Sequence, residues 1–264
     1  GQTRENQDVR PAGLEAKKGD LLVKKSMKLN PGVIGLLSSA GYDKLKVFLK
    51  PRVSLILFGD EIQLTGLPQD GLVRDSLGPQ LPGWFEKLGC QIISLEYVSD
   101  DLNLVNQAIV KASENSDLVV TTGGTAEGPR DYLHKSLKLV GGELIVDKVK
   151  VRPGNPMLLA KVSNAFLLGL PGNPQSAIVT LLSLGKPLID SMFGVFEELV
   201  EINSDDDLDA PEGFTRLILG NLTNGKFKMG DYLGSAMLRG LAFSSGFAIV
   251  TNPPTNIRWL GLPT

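Results

Sequence analysis

The sequence predicts an α/β fold with three parts: a three-layer domain with a mostly parallel sheet, a small C-terminal β domain and a short N-terminal segment. Between residues 51 and 195, short continuous apolar runs alternate with longer amphipathic runs. This alternation is typical of parallel strands covered by helices on both faces. Residues 196–264 contain short runs separated by turns, which indicates a β domain. Residues 1–50 have no complete core of their own, so we expect them to pack against another surface.

The N-terminal segment contains one predicted helix. Asn30 is suited to cap it, Pro31 to occupy its first position and Gly41 to end it. We also expect short strands at residues 20–25 and 45–49, on either side of this helix, because both are brief apolar runs.

The alternating region supplies the sheet and its helices. Its apolar runs predict strands at residues 53–58, 90–98, 117–122 and 165–170. Apolar residues at helical spacing predict helices at residues 80–88, 101–112 and 175–189. In the C-terminal region, Asn224-Gly225 predicts a hairpin, because these residue types adopt the positive φ angles of a type I′ turn.

Charge and composition exclude several classes of function. The 264-residue chain has 27 Lys and Arg against 29 Asp and Glu, a net charge of −2, so nucleic acid is not an expected partner. A single cysteine, Cys90, excludes an internal disulfide, a cysteine zinc site and an iron–sulfur cluster. The one histidine makes a Ser/His/Asp catalytic set implausible. With no secretory signal and no long apolar run, we expect a cytoplasmic protein with no membrane partner.

Three polar loops follow predicted strands, where open α/β sheets bind their ligands. The first of them contains Gly59, Asp60 and Glu61. Its two carboxylates could hold Mg²⁺ or act on a proton. A helix cap or a plain turn is the simpler interpretation of this loop on its own.

The second loop, TTGGTAEGPRD, is the strongest candidate for chemistry. Gly123 and Gly124 allow backbone amides to approach a phosphate, and Thr125 adds a hydroxyl donor. Arg130 and Asp131 then place a cation and a carboxylate beside that cradle. Glycine pairs are common in ordinary turns, but the flanking Thr, Arg and Asp residues favour a binding function.

The third loop, LPGNPQS, joins a strand to an apolar helix. Pro171 and Pro174 fix its backbone, Asn173 offers an amide, and the following helix N-terminus favours an anion. A rigid structural turn is the alternative interpretation. A fourth rigid loop, RPGNP, carries a cation at Arg152.

Six segments, in order, resemble the molybdopterin molybdenumtransferase family, the molybdenum insertases related to the C-terminal part of gephyrin. They are LNPGVIGLLSSAG, PRVSLILFGDEI, GLVRDS, DLVVTTGGTAEGPRDYL, VRPGNP and LLGLPGNPQSAIVTLL. A further segment, GSAMLRGLAFSSGFAIV, resembles the family's small C-terminal β-barrel domain. The resemblance implies that residues 1–50 are the N-terminally shortened remnant of an elongated domain, 51–195 a molybdopterin-binding α/β domain and 196–264 a β-barrel-like domain.

This resemblance also implies a reaction. The family transfers molybdenum from molybdate to the dithiolene sulfurs of adenylylated molybdopterin, and it releases AMP with Mg²⁺ present. Its members are homodimers. We therefore expect a homodimeric transferase that binds molybdopterin or adenylylated molybdopterin, and molybdate.

The expected catalytic residues are Asp60, Glu61 and Asp131. Two carboxylates near a phosphate are unfavourable unless a divalent cation lies between them, so Asp60 and Asp131 form the expected Mg²⁺-dependent pair. Glu61 is a weaker helper or a helix cap. The expected substrate contacts, taken from the loop chemistry and the resemblance together, are Asp75, Ser76, Gly123, Gly124, Thr125, Arg130, Arg152, Pro171, Gly172, Asn173, Pro174, Ser176 and Ser235.

Two departures from the family pattern leave other functions open. Where insertases have KPGKP this chain has RPGNP, in which Asn155 replaces one cation. Where insertases often have GGVSxGD this chain has GGTAEGPRD, which is closer to the adenylyltransferase branch. The alternatives are a molybdopterin adenylyltransferase, against which the C-terminal β domain argues, and a non-catalytic molybdopterin-binding scaffold or regulator.

Overall fold

The computed structural model describes residue 4 and residues 7–125, 132–252 and 255–263. Its contacts divide the chain into two compact units, Gly1–Leu49 with Phe193–Val195 and Lys50–Met192 with Phe196–Thr264. The second unit contains both sheets described below. The predicted three-part division at residues 50 and 195 stays a prediction.

The first unit contains the helix α1 (Pro31–Ser39), as predicted. The Asn30 side chain accepts a hydrogen bond from the Val33 amide at 2.9 Å, which is the expected N-cap. The predicted strands at residues 20–25 and 45–49 were wrong, because neither segment is in a strand. Apolar side chains alone do not make a strand without a partner backbone to accept its hydrogen bonds.

The second unit contains the remaining elements. In chain order they are β1 (Arg52–Phe58), β2 (Ile62–Gln63), β3 (Val73–Arg74), α2 (Leu77–Lys87), β4 (Gln91–Val98), α3 (Leu102–Asn115), β5 (Leu118–Thr122), α4 (Tyr132–Leu139), β6 (Glu143–Asp147), β7 (Val151–Arg152), β8 (Leu158–Val162), β9 (Ala165–Leu170), α5 (Pro174–Thr180), a π-helical turn (Leu181–Gly185), α6 (Lys186–Met192), β10 (Val200–Glu201), β11 (Asn203–Ser204), β12 (Thr215–Thr223), β13 (Lys226–Met229), α7 (Leu238–Phe243), β14 (Gly246–Thr251) and β15 (Arg258–Gly261).

The main sheet has six strands in the order β4-β1-β5-β9-β8-β6. Its first four strands pair in parallel. Strand β8 pairs antiparallel with β9, and β6 pairs antiparallel with β8, so β8 alone runs against the other five strands of this sheet. The predicted mostly parallel sheet is confirmed. Helices α3 and α4 pack with one face of this sheet around Ile109 and Leu137. Tyr97 and Leu168 point to the opposite face, where α2 and the helix that begins with α5 lie. This arrangement is the expected three-layer domain.

The second sheet is barrel-like and has seven strands, six of them in the order β10-β15-β14-β12-β13-β11. Its core includes Ile218, Phe227 and Val250, with Trp259 packed against them. Asn224 and Gly225 have φ angles of 51° and 78°, which confirms the predicted hairpin between β12 and β13.

Strand β7 is the seventh member of this second sheet, although it lies between β6 and β8 in the chain. It pairs with β12, and Thr215 and Arg216 lie beside Val151 and Arg152. The RPGNP loop that follows β7 is thereby fixed next to the C-terminal strands. Within the described parts of the chain, none of the helices has both the length and the apolar character needed to cross a membrane.

Candidate functional site

The three polar loops predicted at strand ends lie side by side. Strands β1 and β5 are paired up to Leu57 and Thr122, and β5 and β9 are paired up to Thr122 and Leu170. The loops that follow them therefore leave the sheet at the same edge. We call this the carboxyl edge, defined by residues 59–61, 123–125 and 171–173.

The sheet topology predicts a crevice at the carboxyl edge. The chain leaves β1 towards α2 on one face of the sheet, and it leaves β5 towards α4 on the other face. Two neighbouring strands whose connections diverge in this way open a gap between their carboxyl ends, where α/β proteins bind ligands. Here that gap lies between the Asp60 loop and the Gly124 loop.

Both carboxylates of the first loop are exposed. Asp60 accepts one hydrogen bond, from the Asp100 amide at 3.3 Å. The Glu61 carboxylate folds back over Gly59, where an added Cβ would lie 2.9 Å from Oε2. With a φ of 137°, Gly59 is a position where the backbone itself favours glycine.

The carboxylate of Asp75 has a structural function in this arrangement. Its Oδ1 accepts hydrogen bonds from the Leu77 and Gly78 amides at 3.1 and 3.0 Å, at the N-terminus of α2. Its Oδ2 accepts a hydrogen bond from the Tyr97 hydroxyl at 2.7 Å. Partial burial and this bond to a carboxylate raise the pKa of Tyr97 to about 12. The adjacent Ser76 is half-buried and precedes α2 directly.

Residues 123–125, which we call the glycine loop, offer fewer free amides than the sequence suggests. The Gly123 amide donates to the Leu170 carbonyl of β9 at 2.9 Å, so it is engaged in the sheet. Within the described part of the chain, the amides of Gly124 and Thr125 donate to no backbone acceptor. A Cβ on Gly124 would point inwards, 3.5 Å from the Leu133 Cβ and 3.6 Å from Phe58 Cδ2.

The requirement for glycine at residue 124 is therefore conformational. Its φ of 64° is left-handed, and ordinary residues adopt that angle only at a cost. Arg130 and Asp131, predicted to lie beside this loop, are outside the described residues.

The third loop presents an uncommitted amide. Gly172 and Asn173 are exposed, whereas Pro171 and Pro174 are buried. Asn173 is the N-cap residue of α5, but its side chain makes no capping hydrogen bond. That side chain is available for a ligand at the carboxyl edge.

A second group of predicted residues meets in a separate cavity of about 360 Å³. Arg152, Ser176 and Ser235 all line it, although they are far apart in the sequence. We call it the arginine pocket, and its lining consists of Val151, Arg152, Pro153, Gly154, Asn155, Pro156, Ser176, Arg216, Leu217, Ile218, Leu219, Leu233 and Ser235.

Arg216 is a pocket residue that the sequence analysis missed. It lies beside Arg152 in the parallel pair of β7 and β12. Its Nη1 donates to Asp209 Oδ1 at 2.6 Å, and the Arg152 guanidinium lies 5.1 Å from the centre of the Phe214 ring. The feature of the sequence that could have indicated Arg216 is a lone arginine at the start of the otherwise apolar run RLIL. Two arginines that line one cavity favour an anion there.

Asn155 does not substitute for a second loop cation. Its side-chain Nδ2 donates to the Val149 carbonyl at 2.7 Å. Its backbone carbonyl accepts from the Val149 and Met157 amides at 3.1 and 2.9 Å. These bonds close the RPGNP loop. The positive charge of the arginine pocket therefore comes from Arg152 and Arg216.

The chemistry of the remaining candidates is limited. Within the described ranges, no group of three or more His, Cys, Asp or Glu side chains could hold a metal ion. Cys90 is buried, and burial raises the pKa of its thiol to about 12, which confirms that it is a small core residue.

The fold and the positions of these loops define an open α/β protein, a class whose ligands bind at the switch point of the sheet. Residues 54–191 match the model of a probable molybdopterin binding domain. The molybdopterin molybdenumtransferase of Staphylococcus aureus (strain COL) is 34% identical over 222 residues, 83% of this chain and 53% of that protein. The chain belongs to the family of this molybdopterin binding domain, and it is similar to molybdopterin molybdenumtransferases, as the sequence motifs predicted.

Solved structures agree with this assignment. A molybdopterin biosynthesis MoeA protein from Pyrococcus horikosii is 26% identical with a TM-score of 0.77, covering 94% of this chain and 61% of that one. A molybdenum cofactor biosynthesis protein from Pyrococcus furiosus shares the fold, with a TM-score of 0.69 at 22% identity over 94% of this chain and 79% of that one. The chain spans about half the length of the curated relatives it matches.

Proposed function

We propose that this chain acts in molybdenum cofactor biosynthesis as a molybdopterin molybdenumtransferase. It would transfer molybdenum from molybdate to the dithiolene sulfurs of adenylylated molybdopterin and release AMP. One observation carries the proposal: a single segment, formed by residues 171–173 and the first turn of α5, links the two sites. Asn173 of this segment lies at the carboxyl edge, and Ser176 lines the arginine pocket. A phosphorylated organic ligand and an oxyanion can therefore bind to neighbouring parts of one rigid segment.

The carboxyl edge suits the phosphorylated pterin. The Gly124 and Thr125 amides and the Asn173 side chain are donors without a partner among the described residues. Such donors at a strand end bind phosphate without requiring a cationic side chain. Gly123 supports this loop by its bond to β9 and contributes no amide to the ligand.

Asp60 and Glu61 would hold Mg²⁺ together with the phosphate oxygens of the ligand. Both carboxylates are exposed, and among the described residues Asp60 accepts only a long hydrogen bond, from the Asp100 amide. Mg²⁺ in phosphate sites is commonly held by one or two carboxylates, with the substrate supplying the other oxygens. When bound, the ion would neutralise charge that develops on the phosphate as AMP leaves.

The arginine pocket suits molybdate. Arg152 and Arg216 both line it and can attract an anion, and the hydroxyls of Ser176 and Ser235 can donate to its oxygens. Asp209 forms an ion pair with Arg216 by accepting from its Nη1. The chain's own contribution is to bind both substrates.

We also propose that the chain forms a homodimer. In the first unit, Leu14, Leu21 and Leu49 are exposed by 69%, 78% and 90%. So many exposed apolar side chains on a unit with one helix favour a covering surface, and a second copy would supply it symmetrically. Light scattering at micromolar concentration distinguishes the 28.3 kDa chain from its dimer. The cytoplasmic location stays a prediction.

The reaction is tested with the purified chain, adenylylated molybdopterin, Mg²⁺ and sodium molybdate. AMP release that requires both Mg²⁺ and molybdate would support the transferase. Consumption of ATP with molybdopterin would favour an adenylyltransferase instead. Pterin binding without any AMP release would favour the non-catalytic scaffold.

A further inference from the structure

The loop that carries Ser235 into the arginine pocket has a strained backbone. We call residues 231–237, between β13 and α7, the serine loop. Tyr232 within it has a φ of 61°, a left-handed angle that is a genuine outlier for a bulky aromatic residue. Such angles persist only where surrounding contacts hold them, and they are concentrated at functional sites.

One buried side chain from another element holds this loop. Gln175, in the first turn of α5, is only 2% exposed. Its Nε2 donates two hydrogen bonds, to the carbonyls of Tyr232 at 2.8 Å and Met237 at 2.7 Å. These two carbonyls lie near the two ends of the serine loop, so one amide group closes the loop across its base.

The backbone of Gln175 reaches the serine itself. The Gln175 amide donates to the Ser235 carbonyl at 2.9 Å. An amide in the first turn of a helix has no partner within its own helix, so this bond also satisfies the helix end. Gln175 does not line the arginine pocket, whereas its neighbour Ser176 does.

Helix α7 supports the loop from the other side. The Arg239 guanidinium lies 4.8 Å from the Tyr232 ring centre and donates to the Tyr232 hydroxyl at 2.9 Å. A Cβ on Gly240 would lie 2.5 Å from the Tyr232 carbonyl oxygen, so only glycine allows this approach. The Tyr232 carbonyl is thereby left in position to accept from Gln175.

We infer that Gln175 is a positioning residue, which fixes the serine loop to α5 so that Ser235 and Ser176 face the same anion. Gln175 touches neither substrate. It acts through Ser235, and its contribution to molybdate binding rests on the proposed function. The fixing of the serine loop by Gln175 is independent of that function, because it follows from the hydrogen bonds alone.

The test compares Gln175→Leu with a matched control, Gln63→Leu. Gln63 also donates from Nε2 to two loop carbonyls, those of Thr65 and Leu67 at 2.6 and 2.7 Å, but it holds a different loop. In Gln175→Leu, amide hydrogen exchange should become faster at residue 175 and in the serine loop. In Gln63→Leu, exchange at these positions should be unchanged. Unchanged exchange in a folded Gln175→Leu protein would overturn the inference.

A double-mutant cycle measures whether Gln175 acts through Ser235. Gln175→Leu and Ser235→Ala should each weaken molybdate binding, by about tenfold for a lost hydrogen bond to a charged ligand. The double variant should bind no more weakly than either single variant. Additive losses would overturn the inference, because they would show that Gln175 acts without Ser235. If the parent chain binds no molybdate, the proposed function fails, and the exchange measurement still decides whether Gln175 holds the loop.

Discussion

The carboxyl edge and the arginine pocket differ in charge and in the way the chain builds them. At the carboxyl edge, Asp60 and Glu61 are exposed carboxylates, and each loop comes from residues that directly follow a strand. The arginine pocket is cationic, and it combines Arg152, Ser176, Arg216 and Ser235 from four separated segments.

This difference in charge explains how one chain could bind two negatively charged substrates at separate sites. An acidic surface repels a free oxyanion but accepts a phosphate that arrives with a divalent cation. A pair of arginines binds a free oxyanion directly. If the two regions act as proposed, substitutions in one should leave the binding step of the other intact.

The largest expected effect is on turnover, from Asp60→Asn at the carboxyl edge. Without this carboxylate the proposed Mg²⁺ site loses a ligand, and AMP release should fall by about a hundredfold or more, as for a lost electrostatic contribution to the transition state. Molybdate binding should be unchanged. Steady-state assays and calorimetric titration measure the two quantities.

Asp70→Asn serves as the matched control, because Asp70 is exposed in a turn and follows no strand of the main sheet. A loss of turnover as large in Asp70→Asn would show that Asp60 acts only through general surface charge. A loss of molybdate binding in Asp60→Asn would contradict the separation of the two regions.

The next largest effect should come from Arg216→Ala in the arginine pocket. A hydrogen bond to a charged group contributes about 2 kcal/mol, so molybdate should bind roughly thirtyfold more weakly. The residual affinity should also depend less on salt, because one cation has been removed. Titrations at two ionic strengths measure both effects.

Asp209→Ala separates this effect from the loss of an ion pair, because it removes the partner of Arg216 and leaves the guanidinium in place. It should retain molybdate binding. If Asp209→Ala reproduces the loss seen in Arg216→Ala, the arginine is structural and the pocket is not an anion site.

A smaller effect is expected from Gly124→Ala at the carboxyl edge. The left-handed φ of this residue costs an alanine about 1–2 kcal/mol, and the loop should shift to relieve that cost. A phosphorylated pterin should bind more weakly by several-fold to about tenfold, because a loss of about 1.4 kcal/mol corresponds to a tenfold change in affinity.

Gly141→Ala provides the same backbone strain away from the site. Gly141 has a φ of 70°, and an added Cβ there would meet no atom within 4 Å. Chemical denaturation should show similar losses of stability in both variants, but only Gly124→Ala should bind the pterin more weakly. Equal pterin binding by both would show that the glycine loop is a structural turn.

The smallest effect should be a gain from Asn155→Lys. This variant adds a cation to the arginine pocket and removes the hydrogen bond to the Val149 carbonyl. Because the added charge is partly screened, molybdate binding should tighten by only about threefold. Asn155→Ala controls for the lost hydrogen bond, and weaker binding in Asn155→Lys than in Asn155→Ala would contradict a cationic site.

The residue pattern alone was enough to predict the four parallel strands of the main sheet and the carboxyl edge, whereas β6 and β8 were not predicted. The runs at Val53–Phe58 and Leu118–Thr122 are apolar because both faces of these strands are buried, and each run ends directly in a polar loop. Parallel strands must all present their carboxyl ends at one edge, so local patterns were enough to predict that these loops meet.

Long-range pairing, which local patterns do not reveal, builds the arginine pocket and sets the contacts of individual side chains. Strand β7 leaves the main sheet to pair with β12, and that long-range pairing brings Arg216 next to Arg152. The same limit explains the engaged amide of Gly123 and the hydrogen bond between Asp75 and Tyr97, because each joins residues that are distant in the sequence. Local sequence specifies periodicity and turn chemistry, whereas pairing between distant segments is selected by the packing of the whole chain.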